Sequence, residues 1–260
     1  MSLLSNATLS RMLVNLIVVV LVMFSIVLHE IGHGFAALRM GDNTAKRMGR
    51  LSPNPLKHLD PFGSVLLPLM LAFSGAPIIG FAKPVPYDPR NLRNRKVGEV
   101  VVGLAGPATN LLLALIGAAL AYASRHLFLY SSQLGYWTWQ VCAYFVQVNL
   151  LLMFFNLIPL PPLDGSSLIA PLLPDKHLKT YYQVERYSMP VLIIILIVLP
   201  WCLHVDPIGW YLENTAYRVA NVLLGLTGHA HAGYLTSVCA LAAVVMRGPY
   251  GRGDDARGDR

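Results

Sequence analysis

Charge is scarce in this chain. Asp, Glu, Lys and Arg make up 13% of its 260 residues, about half the share of an ordinary soluble domain. The shortage excludes a globule with a solvated charged shell, and the apolar residues fall in long blocks, as in a membrane protein. Acidic groups are the scarcer sign, with 13 Asp and Glu against 20 Lys and Arg, a net charge of +7. In a membrane protein such an excess reads as a topology signal, so no nucleic-acid partner is expected. Cysteine is nearly absent too. Cys142, Cys202 and Cys239 sit in apolar segments without metal-ligand spacing, which excludes a disulfide framework or a cysteine-built zinc site. Nor is there an internal repeat of the kind transporters carry. The first apolar run is too long for a signal peptide and has no small-residue cleavage site before its charged groups, so no cleaved leader is expected.

What the chain does have is length in its apolar runs. Five blocks are long enough to span a bilayer, at about 12–38, 97–123, 137–158, 188–204 and 216–246. A sixth stretch, 62–82, is broken by Pro68, Gly75 and Pro77. All of the 20 Lys and Arg except Arg11, Arg125 and Arg218 fall between the first two blocks, between the third and fourth, or after the last. These positions share the cytoplasmic side if 62–82 enters the membrane and returns. Re-entrant backbone at membrane depth must be covered by protein or line a wet cavity. The expected fold is therefore an α-helical polytopic membrane protein of about five to six transmembrane helices with a re-entrant segment. It forms a single domain over 1–246, followed by a disordered cytoplasmic tail at 247–260.

One feature of the first block needs explaining. "VLHEIGHGF" places Glu30 and two histidines, His29 and His33, inside an oily helix, where ionisable groups are costly unless paired or metal-bound. The two histidines are four residues apart and face one side of the helix. They can grip one metal ion, with Glu30 beside them as a base acting on water, the HExxH zinc pattern. A hydrolytic zinc site wants three protein ligands and an open position. Asp164, in "NLIPLPPLDG", is the best third ligand, because Pro159, Pro161 and Pro162 stop the helix and leave an extended segment to present its carboxylate. Asp60 and Asp175 compete, but both lie in ordinary basic loops. In "GLAGPATN", Gly103 and Gly106 allow close helix approach. Asn110 puts an amide inside the bilayer, where it can support a developing oxyanion or glue two helices together.

Taken in order, "HEIGH", "GPATN" and "NLIPLPPLDG" resemble the site-2 protease family of intramembrane zinc metalloproteases, in its compact form without an inserted PDZ or appended regulatory domain. "GDNTAKRMGRLSPNPLKHLDPFG" and "GFAKPVP" add to the likeness, which covers about 12–170, the expected catalytic core. The resemblance implies one Zn2+ per chain held by His29, His33 and Asp164, with Glu30 as catalytic base. It also implies that Asn110 and Asn156 are polar residues near the reacting atoms. Ser166 and Ser167 follow the "DG" where many relatives have glycine or a basic residue or His. The implied activity is hydrolysis of a peptide bond in or near the transmembrane segment of a membrane-protein substrate. The implied location is a bacterial cytoplasmic membrane, multi-pass, with the site toward the cytoplasm and the lipid bilayer as a standing partner. A transporter using the polar groups as a pathway, or an inactive scaffold, are the alternatives.

"GFAKPVPYDP" further suggests a short β-strand or hairpin at 81–87 near the site. Pro84 and Pro86 lack N–H groups and blunt one edge, while Lys83, Val85 and Tyr87 keep donors on the other. An extended substrate could add to that edge. His58 reads as a solvated loop histidine, and His229 and His231 as loop residues. Trp137, Trp139, Trp201 and Trp210 sit at block ends like an interfacial belt.

Overall fold

The computed structural model describes residues 6–54, 57–58, 66, 83–126, 133–174, 176–177, 180–181, 183 and 187–225. The expected re-entrant stretch 62–82 (apart from residue 66), the loop candidates Asp60, Asp175, His229 and His231, and the tail lie outside them. Helix α1 runs Asn6–Arg39, a short α2 covers Thr44–Arg47, α3 is Arg95–His126 and α4 is Gln133–Asn156. Short 3-10 turns follow at Asp164–Leu168 and Ala170–Leu172. Beyond them, Ser188–Ile193 (α5) continues as a π-helical stretch Ile194–Leu203. Pro207–Leu212 (α6) continues through a π-helical stretch Glu213–Tyr217 into Arg218–Leu223 (α7).

Among the described residues, three helices are long and apolar enough to cross a membrane: Val20–Arg39, Arg95–His126 and Leu134–Asn156. They correspond to the first three apolar blocks. The fourth block is helical, but its apolar stretch Ser188–Pro200 is shorter than a full span. The fifth is described only to residue 225. The expected strand is not found among the described residues: 83–88 is irregular backbone. The reason is visible in its partners. Lys83 N–H goes to His58 O, Val85 N–H to Glu30 and Asp88 N–H to Asp42, so its donors reach three separate groups and no ladder forms.

Helix α4 is the hub. Val148, Leu150, Leu151 and Leu152 are all buried, as expected of a helix surrounded by others. They pack with Val22 and Ile26 of α1, Ala114 and Ala121 of α3, and Leu192, Ile208, Leu212 and Ala216. Helix α3 turns a stripe of mostly small residues inward, with Gly103, Gly106, Asn110, Ala114, Gly117 and Ala121 buried at three- and four-residue spacing. Asn94 accepts from Val97 N–H and caps its start. Pro107 lies within it.

The end of α1 anchors the segment that approaches the site from residues 83–91. Gly41 has φ +112°, while Gly41 N–H donates to Leu38 O and Asp42 N–H to Ala37 O, a Schellman stop. Asp42, fully buried, then gathers Thr44 N–H and Oγ1–H, Asn91 Nδ2 and Asp88 N–H. This ties the Pro89–Asn91 turn, and with it residues 83–88, to the helix. Burial pushes the Asp42 carboxyl up, but the hydrogen bonds from Thr44, Asn91 and the Asp88 and Thr44 amides outweigh it and hold the pKa below its ordinary value. A depressed pKa contributes stability above the unfolded value of about 3.9, lost as pH falls through the folded one. Asp42→Asn is expected to lower thermal stability in detergent by about 1–3 kcal/mol at neutral pH and to flatten part of the loss below pH ~4. An unchanged acid limb in Asp42→Asn would remove this carboxylate from that role.

Candidate metal centre

His29 and His33 lie one turn apart on α1, both buried. Their Nε2 atoms are 3.0 Å apart. Asp164 Oδ2 lies 3.0 Å from His29 Nε2 and 3.2 Å from His33 Nε2. Zinc ligands at ~2.0–2.1 Å in tetrahedral array stand about 3.3–3.4 Å apart, so this triangle is close to the face of such a site. The side-chain tautomers fit as well. His33 Nδ1 is 2.6 Å from Val102 O, which only accepts, so Nδ1 carries the hydrogen and Nε2 the lone pair. His29 Nδ1 is 3.2 Å from Asn110 Oδ1, the same arrangement. Two imidazole nitrogens and a carboxylate oxygen at this spacing form a donor set that one cation can share.

Each element of the site has a local reason. The prolines after α4 bring Asp164 back toward α1, and Gly165 fits where a Cβ would meet Leu157 O and Ile158 O. At Gly103 a Cβ would strike Ser167 and lie 3.2 Å from Asp164 O, so this glycine admits the Asp164 turn against α3. The turn is held further by Tyr181 Oη, which donates to Ser166 O at 3.0 Å, and by Ser166 Oγ to Leu163 O. Gly106 does more than allow close packing. A Cβ there would lie 2.6 Å from His29 Nε2 and nearer still to His33 Nε2, inside the space a metal would occupy.

Glu30 occupies the adjacent face of α1, with a carboxylate oxygen within 4.8 Å of the ligand atoms of His29 and His33. Its Oε2 accepts from Val85 N–H at 2.9 Å. Gly34, one turn on, makes room for this contact, since a Cβ there would press on Leu51 and Val85 Cγ1. The structure therefore brings His29, Glu30, His33, Asn110, Asp164 and Val85 together. Asn156 is buried but donates Nδ2 to Leu152 O in its own helix. Lys83 N–H is engaged with His58 O, so two of the three donors expected to meet substrate are held within the protein. His58 is buried rather than solvated, with Nε2 2.9 Å from Ser52 O. Arg50 and Asp42, which lie in the stretch that adds to the family likeness but were given no role there, emerge as organising side chains whose partners come largely from other segments.

A hydrolytic metal site on a membrane-spanning helix defines a membrane metallopeptidase. The sequence profile of Peptidase family M50 matches residues 17–133. YwhC of Bacillus subtilis (strain 168), which carries the provisional name zinc metalloprotease, is 38% identical over 198 residues, 74% of this chain and 82% of its own length. Rip2 of Mycolicibacterium smegmatis (strain ATCC 700084 / mc(2)155), with the same provisional description, is 31% identical over 67% of this chain and 64% of its own. Rip2 of Mycobacterium tuberculosis (strain ATCC 25618 / H37Rv) is 29% identical over 80% and 72%. No solved structure matches. The chain belongs to Peptidase family M50, the site-2 protease family, and is a zinc metallopeptidase.

Gly106→Ala is expected to abolish zinc retention while leaving α3 helical, since alanine favours helix over glycine by about 1 kcal/mol. Metal analysis of the purified variant checks this, and one zinc per chain would contradict the close approach. Asn110→Ala, which strips His29 Nδ1 of its acceptor, should weaken zinc affinity about 10–100-fold, read by competition with a chelator.

Proposed function

We propose that this protein hydrolyses a peptide bond in or beside a transmembrane segment of a membrane-protein substrate. His29, His33 and Asp164 hold one zinc ion, and Glu30 is the general base. The observation that carries this reading is that His29, Glu30 and His33 lie on Val20–Arg39, a helix long and apolar enough to cross the bilayer. Zinc, when bound, polarises a carbonyl and makes water acidic enough to lose a proton near neutral pH.

The side chains do the rest. Glu30, with Oε2 held by Val85 N–H, has its second oxygen to take a proton from water and later deliver it to the leaving amine. Asn110 Oδ1 orients His29, while its Nδ2 is buried with no hydrogen-bond partner. That amide is a donor for the scissile carbonyl oxygen as charge develops on it. Asn156 supports the helix end from which the Asp164 turn departs. We place the whole reaction in one domain, residues 1–246. The basic loops indicate a multi-pass protein of a bacterial cytoplasmic membrane with its site toward the cytoplasm.

Glu30→Gln should cut proteolysis of a membrane substrate by about 10²–10⁴-fold or more and retain one zinc per chain, because Glu30 is not a ligand. Wild-type turnover by the variant would remove Glu30 from the role of base, whereas loss of zinc would place it among the ligands.

A further inference from the structure

Glu30 is placed from outside its own helix, and the placing group is a backbone amide in an irregular segment. Such an amide orients a carboxylate only if the segment is itself fixed. The two residues just before Val85 are gripped by Arg50. Its Nη1 donates to Lys57 O, and its Nη2 lies 3.3 Å from both Lys83 O and Pro84 O. Beside it, Lys83 N–H donates to His58 O at 2.8 Å, and the buried His58 ring is anchored on Ser52 O. One guanidinium thus joins the 57–58 turn to the segment that runs straight into Val85. Pro84 and Pro86 restrict the backbone on either side, and Gly34 leaves the space in which Val85 lies against α1. Burial lowers the Arg50 pKa, and the Glu30 charge acts against that shift.

We infer that Arg50 is a positioning residue: its fork clamps residues 83–85 to the His58 turn so that Val85 N–H holds one oxygen of Glu30 and leaves the other for proton transfer. The inference rests on the assignment of Glu30 as base. It concerns shape more than charge. A planar guanidinium bridges several carbonyls at once, whereas a lysine ammonium is a compact point charge on a flexible stem. It also gives residues 83–87 a role in the catalytic machinery rather than as an edge awaiting a substrate strand.

The test compares full-length wild type, Arg50→Lys and Arg50→Gln, purified with zinc, by two readouts. In proteolysis of a membrane-anchored substrate, both variants should lose about tenfold or more in kcat, as expected when a reacting group is misplaced. KM should change less than about twofold, since bound substrate is untouched, and zinc content should equal that of wild type. In hydrogen–deuterium exchange, the Val85 amide should be protected in wild type and exchange at least about tenfold faster in both variants. Arg50→Lys with wild-type kcat and wild-type Val85 protection would overturn the clamp, since charge alone would then suffice. Loss of zinc in both variants would also overturn it, because Arg50 would then be holding the fold. The exchange readout needs no proteolysis. A wild-type protein that cleaves no membrane substrate would count against the proposed function alone, while Val85 protection still decides the clamp.

Discussion

Three acceptor atoms held against one another in an apolar interior set the terms for the rest of this protein. The Nε2 atoms of His29 and His33 and the Oδ2 of Asp164 stand 3.0–3.2 Å apart, and the Nδ1 hydrogens of both rings are committed to Asn110 and Val102. Left to themselves such atoms repel, and burial sharpens the repulsion because there is little solvent to screen it. A cation turns the same arrangement into an attraction. The surrounding structure reads as the set of contacts that brings these atoms together and keeps the gap between them open.

That set is drawn from separate pieces of chain. Helix α1 supplies both imidazoles and the Glu30 carboxylate. Helix α3 supplies the two acceptors behind the imidazoles and, at Gly106, the absence of a side chain in front of them. The proline-rich turn after α4 supplies the carboxylate, and Gly103 lets that turn reach the site. Residues 83–85, tied down through Asp42 at one end and Arg50 at the other, supply the amide on Glu30. Helix α4 carries no ligand, but its second half is largely buried and packs between α1 and α3. A polar tie to α1 is Asn149 Nδ2 to Ser25 Oγ, a buried bond between the two helices.

Much of this was legible in the sequence, and the boundary falls where local periodicity gives way to tertiary contact. The pairing of His29 with His33 follows from helical spacing alone, and so does the place of Glu30 on the next face. Asp164 was visible because prolines end the helix just before it. Gly106 looked like a packing glycine, since nothing in "GLAGPATN" says that the histidines of another helix would point at its missing Cβ. Asn110 was read as oxyanion support or as a polar tie between helices. Its oxygen makes such a tie, to His29 on another helix 81 positions away, which the sequence could not specify. The alternation of proline and donor at 83–87 suggested a strand edge, but a strand needs a partner, and here the donors are claimed one by one by side-chain and loop groups. His58 was expected in solvent and is buried. Arg50 and Asp42 lay in a stretch that added to the family likeness but were given no role, because a single loop charge acquires meaning only from the carbonyls and amides that folding gathers around it.

The most direct measurement of the central claim is zinc K-edge X-ray absorption on the purified protein and on Asp164→Ala. The wild-type spectrum should show light-atom scatterers only, at about 2.0–2.1 Å, with the outer-shell pattern of two imidazoles. In Asp164→Ala, either the zinc should be lost or the imidazole pattern should persist with an altered oxygen shell. A sulfur scatterer near 2.3 Å, a count of imidazoles other than two, or a first shell unchanged by Asp164→Ala would contradict the account.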